Sequence, residues 1–480
     1  MEIVHLSAEC YPVAKVGGLA DVVGALPKYL NEEGVEASVV MPKYGNKWMQ
    51  EHQFKTVHES HAPLGDWQFN FSIQREEDDT LGFPLYVVDI PTRFNRPGIY
   101  VEPQSGTPYR DEIERFVAFQ VATLDWLNEQ AEKPDVIHCH DHHMGLVPFM
   151  MSRCPRYRGM QNIPTAFTVH NGEYHGVHPH EKKFLLPRFD TQDEGLLDWD
   201  GQLNCLAAGL KCCWEITTVS PSYMDELSHE SQGLETLFQN EIEKSRGIIN
   251  GIDTEVWNPA TDPMIKYSYN ASKMAEGKRK NKKMLCKKFG LDPQYPTISY
   301  IGRLAHEKGA DLLPDLFKRF LKSTQSVNFV VLGTGDRNLH HQFEAMSSRF
   351  VGYFDAALDY NEPLAHQIYA GSDFMIMPSR VEPCGLNQMY SMRYGTIPIV
   401  RTVGGLRDTV IDLGDSGGYG ITFFDFSLQS AANAIQRAVD LYNESRSMSK
   451  ISKKVMNLDF SWNASAKKYI KLYNELTDKA

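Results

Sequence analysis

Phe374-Met375-Ile376-Met377, Ser379-Arg380-Val381-Glu382-Pro383-Cys384-Gly385-Leu386, Ile397-Pro398-Ile399-Val400 and Gly404-Gly405-Leu406 follow one another in one stretch of the chain. The apolar runs 374–377 and 397–400 are too short for helices and end in proline- or glycine-bearing turns. They read as strands buried on both faces, the pattern of a parallel sheet. Each turn opens a helix-patterned segment, so both turns fall at carboxyl ends of strands, where open α/β sheets bind ligands. One turn carries a carboxylate, Glu382. The other is a glycine pair at a helix start, where unpaired amides and the helix dipole attract anions.

The same rhythm extends outward. Strands are expected at 297–302 and 328–332, and earlier at 3–7, 37–41, 85–90, 136–140, 165–169 and 216–219. Helices are expected at 19–33, 113–129, 309–322, 364–371, 386–394 and 427–444. Short β-branched runs alternating with amphipathic ones predict an α/β chain of two doubly wound, Rossmann-like domains facing one another across a cleft. Turn chemistry in Ile249-Asn250-Gly251-Ile252-Asp253 and Trp257-Asn258-Pro259 places the hinge. The domains are therefore expected at 1–250 and 251–459, followed by a last segment, 460–480, whose helical spacing at 464–476 suits packing on either.

Several residues at strand ends carry chemistry. Gly302-Arg303-Leu304 ends one strand, and Lys308 stands five residues beyond Arg303; both cations can converge on a diphosphate, where growing negative charge on a leaving group needs them. In the other half, Lys15-Val16-Gly17-Gly18-Leu19 is a second glycine turn, with a lysine beside it. A carboxylate for sugar hydroxyls beside phosphate-type turns suits a sugar nucleotide, and turns in both halves suit an enzyme that closes at the hinge to split a glycosyl-phosphate bond. His138-Cys139-His140-Asp141-His142-His143 has the composition of a metal cluster. Strand alternation sends neighbouring side chains to opposite faces, so the segment is read as offering Asp141 to sugar hydroxyls, beside His170 after the next strand. Val330-Val331-Leu332-Gly333-Thr334-Gly335 lacks the third glycine of a dinucleotide fingerprint.

The 480 residues carry a net charge of -12, which argues against general nucleic-acid binding. The cations Lys278, Arg279, Lys280, Lys282, Lys283, Lys287 and Lys288 read as a solvated helix face, with Met284, Leu285 and Phe289 on its apolar side. The first residues do not resemble a secretion signal, and no apolar run nears the roughly 20 residues that span a bilayer. Eight scattered cysteines, two of them adjacent, read as free thiols in a reducing cytoplasm.

Taken in order, these motifs resemble the bacterial glycogen synthase and plant starch synthase family of retaining glycosyltransferases. The likeness runs through Lys15–Val22, His138–Asp141, Thr168–Asn171, Asn250–Asp253 with Trp257-Asn258-Pro259, Gly302-Arg303 with Lys308-Gly309, Glu382–Leu386 with Gln388, and Gly404-Gly405-Leu406. The resemblance implies the GT-B architecture, with the first domain on the acceptor side, the second on the nucleotide-sugar side, and the last helix crossing back to the first. It implies transfer of glucose from ADP-glucose, or alternatively UDP-glucose, to an α-1,4-glucan or maltooligosaccharide with retention; a related transferase with a small acceptor is the alternative. Arg303 and Lys308 would hold the diphosphate, with Lys15, Gly17, Gly18, Gly404 and Gly405. Glu382 would bond the glucose near its 3-hydroxyl, and Cys384, Gly385 and Leu386 would line that pocket with Asn250 and Gly302. His170 would face the 6-hydroxyl and the anomeric centre, Asp141 the sugar or acceptor hydroxyls, and Tyr360 would stack on the base. No metal and no cofactor beyond the donor is implied, and neither a nucleic-acid nor a membrane partner. The chain departs from the family after Asp141, where His142 replaces a more usual tryptophan, and at residues 171–176 and 228–246. These departures bear on the acceptor more than on the donor.

Overall fold

The computed structural model describes residues 1–323 and 327–480, which form two compact units. The first comprises Met1–Val219, Met224–Ile249 and Trp462–Ala480; the second comprises Ser220–Tyr223 and Asn250–Ser461.

In the first unit the strands are β1 (Glu2–Leu6), β2 (Glu36–Pro42), β3 (Phe54–Leu64), β4 (Trp67–Glu76), β5 (Leu85–Asp89), β6 (Val136–His140) and β7 (Thr165–Val169). Short β8 (Val177–His178), β9 (Asp198–Trp199) and β10 (Gln202–Asn204) pair in a separate sheet, and β11 (Glu215–Thr218) and β12 (Ser245–Gly247) return to the main one. The main order is β12-β11-β7-β6-β1-β2-β5-β4-β3. Pairing is parallel from β12 to β5, while β4 runs antiparallel to both β5 and β3. That edge hairpin is absent from the sequence expectation. Trp67, Phe69, Phe71 and Ile73 do alternate along β4, but β3 is mostly polar and exposed, so only pairing defines it. One core layer joins Ile3, Val22, Leu26 and Ala37 to Trp462, Ala466, Tyr469, Leu472 and Tyr473 of the helix Trp462–Thr477.

The second unit has one parallel sheet of β13 (Thr297–Ile301), β14 (Asn328–Leu332), β15 (Phe354–Ala357), β16 (Phe374–Met377), β17 (Ile397–Arg401) and β18 (Ile421–Phe423). Its order is β15-β14-β13-β16-β17-β18, the dinucleotide-fold order in which the chain reverses between its first and fourth strands. Phe329, Val331, Phe374 and Ile376 enter one core layer, and Val330, Leu332, Met375 and Met377 the other. Burial on both faces explains the continuous apolar runs, because successive side chains point to opposite sides.

The cationic helix Met274–Phe289 corrects one expectation. Lys278 and Lys282 are buried rather than solvated, and Met284 is exposed. The Lys278 ammonium donates to the carbonyls of Tyr369, Ala370 and Tyr394 and to Thr396 Oγ1, and burial brings its pKa down to about 7. Lys282 Nζ pairs with Asp373 at 2.6 Å. Two long stems that reach inward through a helix face leave no trace in charge patterning. Among the described residues no helix is long and apolar enough to cross a membrane, and all eight cysteines are free.

Candidate functional site

In the first unit the chain reverses at β1, which pairs with β2 on one side and β6 on the other. Beyond β1 lies Glu9, buried at 3% exposure. Its carboxylate accepts hydrogen bonds from the amides of Val16 (2.5 Å) and Gly17 (3.0 Å) and from the Tyr100 hydroxyl (2.6 Å). The glycine turn is thus folded onto a carboxylate of its own chain. Lys15 Nζ pairs with Asp21 at 2.6 Å. Gly17 caps the helix Gly18–Glu32, and a Cβ placed on Gly17 or Gly18 would meet nothing within 4 Å. Packing does not require these two glycines; their bare backbone leaves room for a ligand to approach.

Beyond β6, Asp141 takes φ 58° and ψ 175°, a region suited to glycine that costs other residues on the order of 1–3 kcal/mol. Its Oδ1 accepts the His170 amide at 2.7 Å, which ties the ends of β6 and β7 together. Burial pushes the Asp141 carboxyl up to about 7; the His170 amide opposes the shift, and nearby Glu9 adds to it. His170 is buried, and its imidazole is held neutral with a pKa near 3.

Behind His170, the His140 ring bonds to both His170 and His5, while His138 bonds to Tyr473 and Thr168. The ligand atoms of His5, His138 and His140 lie within 4.8 Å of one another. Five of their six ring nitrogens already have partners, however, and His138 and His140 stack face to face at 4.3 Å, so their in-plane lone pairs do not converge. The departures beside Asp141 are packed as well: His143 stacks on Tyr100 at 4.6 Å, and a Cβ on Gly176 would lie 2.5 Å from His142.

In the second unit the reversal lies between β13 and β16, whose carboxyl ends carry Gly302-Arg303 and Ser379–Glu382. Lys308 Nζ pairs with Glu382 Oε1 at 2.7 Å, and Ser379 Oγ donates to Glu382 Oε2 at 2.9 Å. Glu382 is 6% exposed, so its carboxylate is pinned on both oxygens. Arg303 does not join Lys308. Its side chain is 70% exposed and pairs with Glu307 at 2.6 Å.

Gly404 and Gly405 open the helix Gly404–Thr409, packed on the Glu382–Cys384 backbone. A Cβ on Gly404 would lie 2.1 Å from the Glu382 carbonyl oxygen, and one on Gly405 2.0 Å from that of Cys384. The Gly405 amide donates to the Glu382 and Pro383 carbonyls. Gly385 takes φ 73°, and Gln388 donates to the carbonyls of Cys384 and Gly385. The Cys384 thiol is buried, which pushes it up to about 12, and Asn250 is buried with it in this unit. Leu386 is half-buried at the start of the helix Asn387–Arg393. Tyr360, just beyond β15, is 82% exposed.

Sequence reasoning passed over Glu9, Tyr100, His5 and Ser379. Glu9 had a usable signal, a lone carboxylate directly after a strand and before a glycine turn. Ser379 stands three residues before Glu382, whereas His5 and Tyr100 become visible only through contacts distant in sequence.

The family described as "Starch synthase catalytic domain" matches residues 2–240, and that described as "Glycosyl transferases group 1" matches residues 281–455. A protein named glycogen synthase from Flavobacterium johnsoniae is 47% identical over 475 residues, covering 99% of both chains. Another, from Geobacillus stearothermophilus, is 36% identical over 495 residues, covering 100% of this chain and 98% of that protein. The catalytic domain of starch synthase IV from Arabidopsis thaliana, solved bound to ADP and acarbose, superposes with a TM-score of 0.85 at 33% identity over 99% of each chain. Sucrose-phosphate synthase from Thermosynechococcus elongatus gives 0.61 at 17% identity over 100% of each, a likeness of fold alone. The two-sheet architecture is GT-B.

Proposed function

The chain belongs to the glycogen synthase and starch synthase family of glycosyltransferases, and from that premise we propose that it transfers glucose from ADP-glucose to the non-reducing end of an α-1,4-glucan. The Lys308–Glu382 pair at the switch point of the second sheet carries this reading, in a chain alike over its full length to glycogen synthases. A carboxylate held rigidly by a lysine and a serine can fix sugar hydroxyls, while the same lysine faces the diphosphate. Preference for ADP-glucose draws on the starch synthase structure that holds ADP and acarbose.

In this reading the C1–O bond to the β-phosphate breaks and the acceptor O4–C1 bond forms on the same face. The acceptor's proton goes to the leaving phosphate oxygen. Lys308, Arg303 and Lys15 stabilise the departing charge, joined by the glycine turns Gly17-Gly18 and Gly404-Gly405. Gly302, Asn250, Cys384, Gly385 and Leu386 shape the donor pocket, and Tyr360 stacks on the base. His170 and Asp141 hold sugar hydroxyls. Protein cations supply the charge, so no metal step is assigned. Free thiols support a reducing, cytoplasmic setting.

Incorporation of labelled glucose into glycogen, measured separately from ADP-glucose and UDP-glucose with EDTA present, tests this directly. Transfer from ADP-glucose alone is the expected result. Transfer from UDP-glucose alone would reverse the donor assignment. Failure with both donors, together with turnover on glucose or maltose, would assign a small acceptor instead.

A further inference from the structure

Three buried imidazoles of the first unit lie end to end. His5 on β1 has Nδ1 3.0 Å from Nε2 of His140 on β6, and His140 has Nδ1 2.9 Å from Nε2 of His170 after β7. The ring centroids lie 5.4 Å apart for His5 and His140 and 5.2 Å for His140 and His170, so with these N···N distances each nitrogen sits near the line joining the two rings, as a hydrogen bond between imidazoles requires. Burial keeps all three rings neutral. At the inner end, His5 Nε2 is buried and has no hydrogen-bond partner. At the outer end is His170 Nδ1, on a ring that keeps 8% exposure at the carboxyl end of β7.

A neutral imidazole carries one ring proton, so His140 must donate on one side and accept on the other. Only two arrangements remain for the whole chain. If the rings donate inward, His5 is left with an N–H at Nε2 and nothing to receive it. If they donate outward, His5 Nδ1–H goes to His140, His140 Nδ1–H goes to His170 Nε2, and His170 carries its proton on Nδ1. An orphaned buried N–H is rarer than an unused acceptor, so the outward arrangement wins. His138 does not interrupt the chain, because its two nitrogens are bonded to Tyr473 and Thr168.

We propose that this dead-ended chain locks His170 in the tautomer protonated at Nδ1, with His140 as the positioning residue, so that His170 meets a sugar oxygen as a hydrogen-bond donor. The inference rests on the reading of His170 as a donor-sugar contact, but the tautomer is a property of the free chain and can be read without turnover.

The test is the ring ¹⁵N spectrum of the full chain labelled at histidine, with His170 assigned by its loss in His170→Asn. The expected wild-type spectrum has the His170 proton on Nδ1; a proton on Nε2 would overturn the proposal. His5→Asp, read at a pH where the new carboxyl is ionised, offers His140 an acceptor and no donor. It should move the His170 proton to Nε2 and lower kcat/KM roughly five-fold, the worth of about one neutral hydrogen bond. His5→Phe offers neither donor nor acceptor, and should keep the Nδ1 form with kcat/KM within about two-fold. Equal loss in both variants with no change of tautomer would reduce the chain to packing and refute the proposal. Should His5→Asp not fold, the wild-type and His5→Phe spectra still decide it.

Discussion

Asp141 combines a strained backbone with a buried carboxyl whose pKa is raised to about 7. Between its unfolded and folded pKa values, the folded chain keeps a proton that the unfolded chain has released. Stability is therefore lost as pH rises from about 4 to 7 and beyond, by on the order of 4 kcal/mol in full. Asp141→Asn keeps an acceptor for the His170 amide and removes the charge. It should match wild type in urea unfolding near pH 4 and exceed it at pH 8, while transfer activity falls. A variant with near-normal turnover would show that the Asp141 carboxylate is neither a nucleophile nor needed for the sugar.

Lys308 and Glu382 give a second contrast at this scale. Lys308→Ala leaves Glu382 buried beside Ser379 alone, which should cost about 2 kcal/mol, less than a fully buried pair because Lys308 keeps some exposure. Activity should fall about 10²-fold or more if the ammonium meets the leaving diphosphate. Adding Glu382→Gln should recover part of the lost stability and none of the activity, as a double-mutant cycle would reveal.

The two glycine turns, so alike in sequence, differ as elements. Gly404 and Gly405 are required by the backbone of Glu382–Cys384, which leaves no space for a Cβ. Gly405→Ala should therefore destabilise the second unit by about 3 kcal/mol or leave the chain insoluble. Gly17 and Gly18 have open space. Gly18→Ala should change the melting temperature little, since alanine favours the helix Gly18–Glu32. If the donor diphosphate lies against this turn, the same variant should raise KM for ADP-glucose about ten-fold or more. A stable Gly405→Ala, or a Gly18→Ala with unchanged kinetics, would contradict this division of labour.

For the whole molecule, the last helix matters out of proportion to its place in the chain. Trp462, Tyr469, Leu472 and Tyr473 cover Ile3, Val22 and Leu26 of the first unit, and Arg246 ties Glu215 to Glu475. A chain ended after Ser461 should expose that layer, aggregate and lose activity, although every catalytic candidate remains present. Bound ADP should slow amide exchange around residues 302–308 and 382–386; protection confined to residues 15–18 would move the nucleotide to the first unit.

The sequence by itself determined the two α/β units and the strands that build their parallel cores. Strands buried on both faces tend to be continuous apolar runs, as 329–332 and 374–377 are, while 136–140 and 165–169 set histidines and threonines among their apolar residues. It also placed Asp141, His170, Arg303 and Glu382 at carboxyl ends of strands, because a turn directly after a strand can lie nowhere else. The polar edge strand β3 was not legible, since an edge exposed to water needs no apolar pattern. Lys278 and Lys282 were not legible as buried, because whether a long stem points inward depends on the carbonyls and the carboxylate that receive it. Only tertiary structure set Lys308 against Glu382 and Arg303 apart from both, turned Glu9 onto the glycine turn, and aligned His5, His140 and His170. These pairings join residues on different strands and loops, and hydrogen bonds between them depend on distances of a few tenths of an ångström that no local pattern encodes.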